Sequence, residues 1–389
     1  MGVDFINSLQ QIMNLHGETY TKSKKLPSNI LKALYSIKDC RTAALGGHVY
    51  ECDDCGERKI SYNSCRNRHC PKCQAYAKEM WIYERSKSLL PTHYFHIVFT
   101  IPEQLNSLTL FNQKEMYSIL FTAVSETLLE LAKDKKYLSA NIGFTTILHT
   151  WGQNLMFHPH IHCIVPGGGL SIDNSKWIKS KKKFFIPVKV LSRKFRGKYL
   201  FYLNELYKNK KLKFPKSISE FQFKEVFNIF KDILYKKEWI VYSKAPFSSA
   251  EYVLKYLGRY THRVAISDNR IIKVDNEKVI FKWRDYRDKN KEKIMSLKPQ
   301  EFIRRFSMHI LPDRFVKIRH YGILGNRNKK LKFKRCIEIF RIKPKEFENL
   351  SPAELFLKLT GIKIGKCKEC ENGNLIKIGK LMPLCASSP

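Results

Sequence analysis

The chain has 389 residues, 43% hydrophobic and 27% charged, which suits a folded protein of two or three domains. Lys and Arg number 71 against 35 Asp and Glu, a formal charge of +36. That excess argues against an acidic buffer protein or an average metabolic enzyme and favours a polyanionic partner, nucleic acid or an anionic membrane surface. The bland alternative is a Lys-heavy composition such as an AT-rich genome produces.

No run of about 18 apolar residues is present, so no membrane span and no membrane partner is expected. Met1–Gln11 shows no basic segment followed by an apolar one, and Val3-Asp4-Phe5-Ile6 lacks the Ser or Thr of a myristoylation signal. The expected location is the cytoplasm. There the 11 cysteines point to metal rather than to disulfides.

Residues 1–39 read as helical, with Phe5, Leu9, Ile12 and Met13, then Ile30, Leu34 and Ile37, at helical spacing. Residues 40–75 carry six cysteines and little hydrophobic periodicity, the signature of a small metal-stapled module. Tyr94–Ile101 predicts a strand ended by Pro102, and residues 104–136 predict a helix. Phe144–Trp151 and His160–Pro166 predict two strands close enough for an antiparallel hairpin. Residues 171–245 read as basic and irregular, including Lys176–Lys183 with five lysines in eight positions, either a solvated loop or a DNA-contacting insertion. Residues 249–260 read as a helix, and Val264–Ser267, Arg270–Val274 and Val279–Trp283 as short strands. A helix over Pro299–His309 and a strand over Arg314–Tyr321 complete the pattern, and no internal repeat is found.

Cys52-x2-Cys55 and Cys70-x2-Cys73 form two knuckles separated by fourteen residues. Each knuckle sets two thiolates on one turn, and two turns complete a tetrahedral Zn²⁺ site. Cys40, His48, Cys65 and His69 lie nearby and suffice for a second zinc; the alternative is that they are partly core residues. Structural zinc is expected over catalytic zinc, because catalytic sites usually keep three protein ligands plus water, often with a nearby Glu or His base, and Arg66, Arg68 and His69 between the ligands suit phosphate contact better. In the tail, Cys367 and Cys370 have no clear second pair, since Cys385 alone follows, and read as remnants or as ligands with distant partners.

His158-Pro-His160-Ile-His162 is the second constellation. On a strand, His160 and His162 share a face and Ile161 takes the opposite one. Two imidazoles on one face can hold a divalent metal with open positions for phosphate oxygens. Gln153 is a candidate third ligand, with His149 and His158 as competitors. Pro166-Gly-Gly-Gly169 permits close backbone approach to a ligand. The third constellation is a helix in which Tyr256 and Tyr260 sit at i, i+4 and Tyr252 extends the row. An aromatic stripe usually belongs to a core, but Arg259, His262 and Arg263 surround this one with groups that stabilise a phenolate or a phosphate.

Five ordered blocks resemble the two-tyrosine rolling-circle transposases of bacterial insertion sequences, within the HUH endonuclease superfamily. CRTAALGGHVYECDDCGERKISYNSCRNRHCPKCQ (Cys40–Gln74) is similar to that family's zinc-binding domain, and HTWGQNLMFHPHIHCIVPGGG (His149–Gly169) to its HUH segment. FFIPVKVLSRKFRGKYL (Phe184–Leu200), YLGRYTHRVAIS (Tyr256–Ser267) and FIRRFSMHILPDRFVKIRHYGIL (Phe302–Leu324) are similar to further family blocks, the second of these being the tyrosine motif. The resemblance implies an α+β fold: a central antiparallel sheet with the HUH strand in its middle, flanking helices with the phenols facing the metal, and a small N-terminal zinc module. It implies an N-terminal helical segment at 1–39, a zinc module at 40–75, a catalytic domain at 90–345 with a basic insertion at about 171–245, and a tail at 346–389.

It further implies that His160 and His162, with Gln153 third, hold Mg²⁺ or Mn²⁺. Tyr256 and Tyr260 become paired nucleophiles that cut single-stranded DNA at element ends through a 5′-phosphotyrosine link. Arg66, Arg68, Arg259 and Arg263 become DNA contacts. No Walker-type ATP loop is present, so a host helicase or replication protein is the implied partner. The rivals are a replication initiator or relaxase with the same chemistry, and a non-catalytic zinc DNA-binding protein. Oligomeric state is not legible.

Overall fold

The computed structural model describes residues 8–86, 89–181, 185–247, 264–286, 288–327, 329–342 and 365–384, with 258, 354 and 356–358 besides. The tyrosine segment, with Tyr252, Tyr256, Arg259, Tyr260, His262 and Arg263, lies outside the described residues, as does Cys385.

Helix α1 (Leu9–Ser23) starts at Ser8, whose hydroxyl accepts from the Gln11 N–H at 3.2 Å. Such a cap satisfies one of the donors a helix start leaves unpaired. Its buried residues, Leu9, Ile12, Met13, His16 and Tyr20, follow the helical period, and α1 packs on α2 (Ser28–Lys38), which buries Ala33, Leu34 and Ile37. Then come β1 (Gly47–Cys52), β2 (Arg58–Tyr62), α3 (Pro71–Ser86) and β3 (Tyr94–Thr100). The predicted helix over 104–136 divides into α4 (Asn106–Phe111) and α5 (Gln113–Lys133). The predicted hairpin forms from β4 (Gly143–Trp151) and β5 (Phe157–Pro166).

The segment expected to be irregular is instead ordered. It contains β7 (Trp177–Lys179), paired with β6 (Gly168–Leu170), then α6 (Val188–Lys208), α7 (Lys224–Lys236) and β8 (Val241–Phe247). Its lysines obscured a helical row: Leu191, Phe195, Tyr199 and Leu203 recur every four residues and are all buried. The glycine run after β5 serves packing. A Cβ on Gly168, which has φ +148°, lies 2.3 Å from the Ile178 carbonyl, and one on Gly169 lies 2.5 Å from that of Asn141.

Further along, β9 (Ile271–Val274), β10 (Val279–Asp285) and β11 (Lys291–Leu297) form an antiparallel sheet. α8 (Pro299–Ser307), β12 (Ile318–Gly322), α9 (Lys329–Ile339) and β13 (Leu375–Leu381) follow. Val264–Ser267 is not a strand. Val264, Ala265 and Ile266 are buried as irregular chain leading to Asp268, whose carboxylate accepts from the Leu9 N–H at the start of α1.

Two packing units result. One comprises Met1–Trp81, His262–Ile310 and Lys345–Pro389; the other comprises Ile82–Thr261 and Leu311–Pro344. The first holds the sheet β13-β1-β2 and the sheet β11-β10-β9, with α1 packed on α8. Residues 264–310, within the span read as catalytic from the sequence, thus pack with the N-terminal helices.

The second unit is built on a five-stranded antiparallel sheet in the order β12-β4-β5-β3-β8, which puts β5 in the middle. Phe99 and Ile161 share one face of this sheet, where Phe99 meets Phe195 of α6 edge-on at 5.1 Å. α5 packs along α6, joined at its rim by Lys198 with Glu126 (2.8 Å) and by the Tyr202 hydroxyl donating to Glu126 (2.6 Å). The architecture is α+β, and among the described residues no helix is long and apolar enough to cross a membrane.

Ile161 has no exposed surface. Ile161→Ala is expected to cost about 2–5 kcal/mol, the range for emptying such a site, whereas Ile172→Ala, at a position 60% exposed, is expected to stay within about 0.5 kcal/mol. Chemical denaturation of the two variants side by side checks both.

Candidate metal centres

Period two along β5 puts His158, His160, His162 and Ile164 on the face opposite Ile161. The register then recruits the neighbours: His149 of β4 lies across from His160, and Val98 of β3 across from His162. His149, His160 and His162 gather with ligand nitrogens within 4.8 Å of one another. All three are buried, at 2%, 9% and 6% exposure, whereas His158 is exposed. Gln153 lies in the turn joining the two strands. His149 therefore stands with the two expected ligands, and its ring stacks on Trp151 at 4.6 Å.

Hydrogen bonding sets the tautomers. His160 Nδ1 faces the His158 carbonyl at 2.6 Å, so that nitrogen carries the proton and Nε2 is bare. His160 Nε2 lies 3.1 Å from His162 Nε2. On its other side, His162 Nδ1 lies 2.8 Å from His96 Nε2. Two arrangements follow. With its proton on Nε2, His162 donates to His160 and the cluster is satisfied alone. With the proton on Nδ1, His162 donates to His96, and two lone pairs converge at 3.1 Å. That separation suits adjacent nitrogens around a metal at roughly 2.1 Å from each.

His96, on β3, was not singled out from the sequence. Its signal was a polar residue inside the apolar run YFHIVFTI. Burial, and then the cation of Lys244, holds its pKa down to about 4, so it stays neutral and can accept. Partners of this kind orient ligand imidazoles and tune their basicity.

The cysteines group differently from the expected knuckle pairing. Cys40, Cys65, Cys70 and Cys73 form one cluster; Cys52, Cys55, Cys367 and Cys370 form another. In the first, the sulfurs of Cys40 and Cys73, Cys65 and Cys73, and Cys70 and Cys40 are 3.7, 3.6 and 3.7 Å apart. Four sulfurs at about 2.3 Å from zinc lie roughly 3.8 Å apart along tetrahedron edges, while disulfide sulfurs lie about 2.05 Å apart. Backbone N–H groups of Cys65 and Asn67 point at Cys40 and Cys65 sulfurs at 3.5 Å, further stabilising thiolate. The donor set fits Zn²⁺.

His48 and His69 join neither cluster. His48 sits within β1, edge-on to Tyr50, and His69 occupies the loop before α3. The structure departs from the expected knuckle pairing because spacing places two thiolates on a turn but does not say which turns meet. Between Cys65 and Cys70, Arg66 is exposed at φ 52°. Arg68 is half-buried, and burial lowers its pKa.

Residues 143–332 match a family model described as "Putative transposase", and residues 12–101 match one described as "Transposase zinc-binding domain". The chain is 44% identical over 372 residues to "Putative transposase y4qJ" of Sinorhizobium fredii, covering 94% of both chains. It is 26% identical over 291 residues to "Transposase for insertion sequence element IS801" of Pseudomonas savastanoi pv. phaseolicola, covering 74% of this chain and 68% of that one. No solved structure matches. The matched spans contain the histidine triad and the first thiol cluster, and neither reaches Cys367.

Cys40→Ala and Cys65→Ala are each expected to lower the zinc bound per chain, and His48→Ala and His69→Ala to leave it unchanged. Elemental analysis of the four purified variants distinguishes this grouping from the knuckle pairing.

Proposed function

Because the chain belongs to the two-tyrosine transposase family of bacterial insertion sequences, with that family's N-terminal zinc-binding domain, we propose that it nicks and rejoins single-stranded DNA at element ends through a 5′-phosphotyrosine intermediate. The observation that carries the reading is the buried pair of His160 and His162 Nε2 atoms, 3.1 Å apart on the middle strand, with His149 beside them.

Each residue then has a task. His160 and His162, with His149 or Gln153, would hold the divalent cation, Mg²⁺ or Mn²⁺. When bound, the cation supplies Lewis-acid polarisation of the scissile phosphate. His96 and the His158 carbonyl keep the two ligand rings turned with Nε2 toward the site. Tyr256 and Tyr260 are the nucleophiles of this proposal. The oxygen of one attacks phosphorus while the bond from phosphorus to O3′ breaks. The phenolic proton is lost to solvent, and the departing oxygen gains one to become a 3′-hydroxyl. One phosphodiester is exchanged for another, so rejoining requires no nucleotide hydrolysis.

A phenol ionises near pH 10 in water. Arg259, His262 and Arg263 next to the tyrosines are assigned to lower that barrier by stabilising negative charge. Arg66 and Arg68 contact phosphates from the zinc module, and dispersed lysines supply the salt-sensitive part of affinity. Host replication or helicase proteins expose the single strand.

With Mg²⁺ or Mn²⁺, wild-type protein is expected to form a covalent adduct with a single-stranded oligonucleotide carrying the element end. Tyr256→Phe with Tyr260→Phe is expected to form none; adduct formed by this double variant overturns the nucleophile assignment. His160→Ala with His162→Ala is expected to slow adduct formation about 10²–10³-fold, the scale on which loss of a transition-state charge stabiliser acts. Comparing His149→Ala with Gln153→Ala shows which supplies the third ligand. His96→Phe is expected to weaken Mn²⁺ binding about 10–100-fold, with His96→Gln recovering part of it, as read by calorimetry.

A further inference from the structure

We propose that Cys52, Cys55, Cys367 and Cys370 form a second, structural zinc site, which clasps the C-terminal segment onto the N-terminal module. The proposal is independent of the nuclease reading. It concerns two cysteines that lie beyond the span matched to the zinc-binding domain, residues 12–101.

The four sulfurs lie within 4.8 Å of one another. Cys52 and Cys370 sulfurs are 3.6 Å apart, and those of Cys55 and Cys367 are 3.7 Å apart. These are tetrahedron edges around a zinc ion, far longer than a disulfide. All four are free thiols. Cys52 and Cys367 are buried, at 3% and 4% exposure, and Cys55 and Cys370 reach the surface.

The surrounding backbone is built as two facing knuckles. Gly56 N–H donates to the Cys52 carbonyl at 3.1 Å, and Cys367 N–H donates to the Gly373 carbonyl at 2.9 Å, closing each turn. Gly373 N–H also points at the Cys370 sulfur at 3.3 Å, as N–H groups do toward thiolate ligands. A Cβ on Gly373 lies 2.2 Å from the Cys52 sulfur, so no larger residue fits between the knuckles.

The knuckles are also tied directly. Asp53 accepts from the Asn374 N–H at 2.6 Å and from its side-chain amide at 3.2 Å, while Asp53 N–H donates to the Asn374 carbonyl at 3.0 Å. From there β13 runs antiparallel along β1, with Leu375 opposite Cys52 and Leu381 opposite Gly47. The site, which joins Cys52 to Cys370 across 318 positions of sequence, thus stands at one end of this ladder. A tetrathiolate of this composition selects Zn²⁺ among the abundant divalent cations, because hard cations prefer oxygen ligands.

Full-length protein purified with zinc should carry two zinc ions per chain. Cobalt substitution should give two equivalents of the tetrathiolate charge-transfer band. In the loaded wild type, Cys52, Cys55, Cys367 and Cys370 should resist alkylation together and become reactive together once chelator removes the metal. Cys367→Ser with Cys370→Ser should lose one zinc and keep the other, and Cys367→His should keep both. One zinc in the wild type, free alkylation of Cys367 and Cys370 in the loaded protein, or a chain mass lowered by a disulfide each overturns the proposal. If the double serine variant does not fold, the wild-type cobalt stoichiometry and alkylation pattern decide alone.

Discussion

The register of β4 against β5 is the constraint on which the histidine centre depends. Side chains on a strand alternate faces, so a slip of one residue would send His160 and His162 into the apolar layer and Ile161 out of it. The observed register sets His149 opposite His160 and Leu148 opposite Ile161. The β3 pairing agrees, with Phe99 opposite Ile161 and Val98 opposite His162. Apolar burial on one face therefore fixes the positions of polar groups on the other. No loop is asked to hold the imidazoles, and a middle strand bonded on both sides is the stiffest support the sheet has.

Metal does in the other unit what burial does here. β2 is exposed along its whole length, and β1 is only half-buried through its middle. A three-stranded sheet with so little apolar cover needs another source of stability. Thiolate clusters supply it, since metal binding by such a site is itself folding free energy. Both clusters draw on residues flanking β1 and β2: Cys40 before them, Cys52 and Cys55 at their turn, Cys65 after them. The module is short of core and rich in ligands, which is why composition betrayed it at once.

The sequence revealed elements wherever one periodicity ruled. The strands at Tyr94, Phe144 and His160 were legible because they are apolar runs bounded by Pro102 and the turn at Gly152. α6 is hidden because lysines and arginines fill the positions between its buried Leu191, Phe195 and Tyr199, so its basic composition masks the four-residue spacing. β11 was missed as a polar strand, KEKIMSL, with little burial to mark it. The apolar Val264–Ser267 run was buried without joining a sheet, an ambiguity that short apolar runs carry. Within the sites, local facts were readable and long-range ones were not. The two histidines on one face followed from alternation alone. The partnership of Cys52 and Cys55 with Cys367 and Cys370 depends on tertiary structure that brings distant segments together.

The charge excess acts differently at the two scales. Spread over the surface, it serves association with a polyanion and says little about chemistry. On the histidine face a single lysine has a defined local effect. Lys244 of β8 lies opposite His96 in the ladder, and its positive charge adds to burial in keeping that imidazole neutral. A protonated His96 would donate at both ring nitrogens and could not accept from His162 Nδ1. The proton on His162 would then be driven to Nε2, the atom that faces His160 across 3.1 Å. Keeping His96 uncharged therefore keeps open the tautomer in which His162 Nε2 carries no proton, and Lys244, two strands from His162, contributes to that.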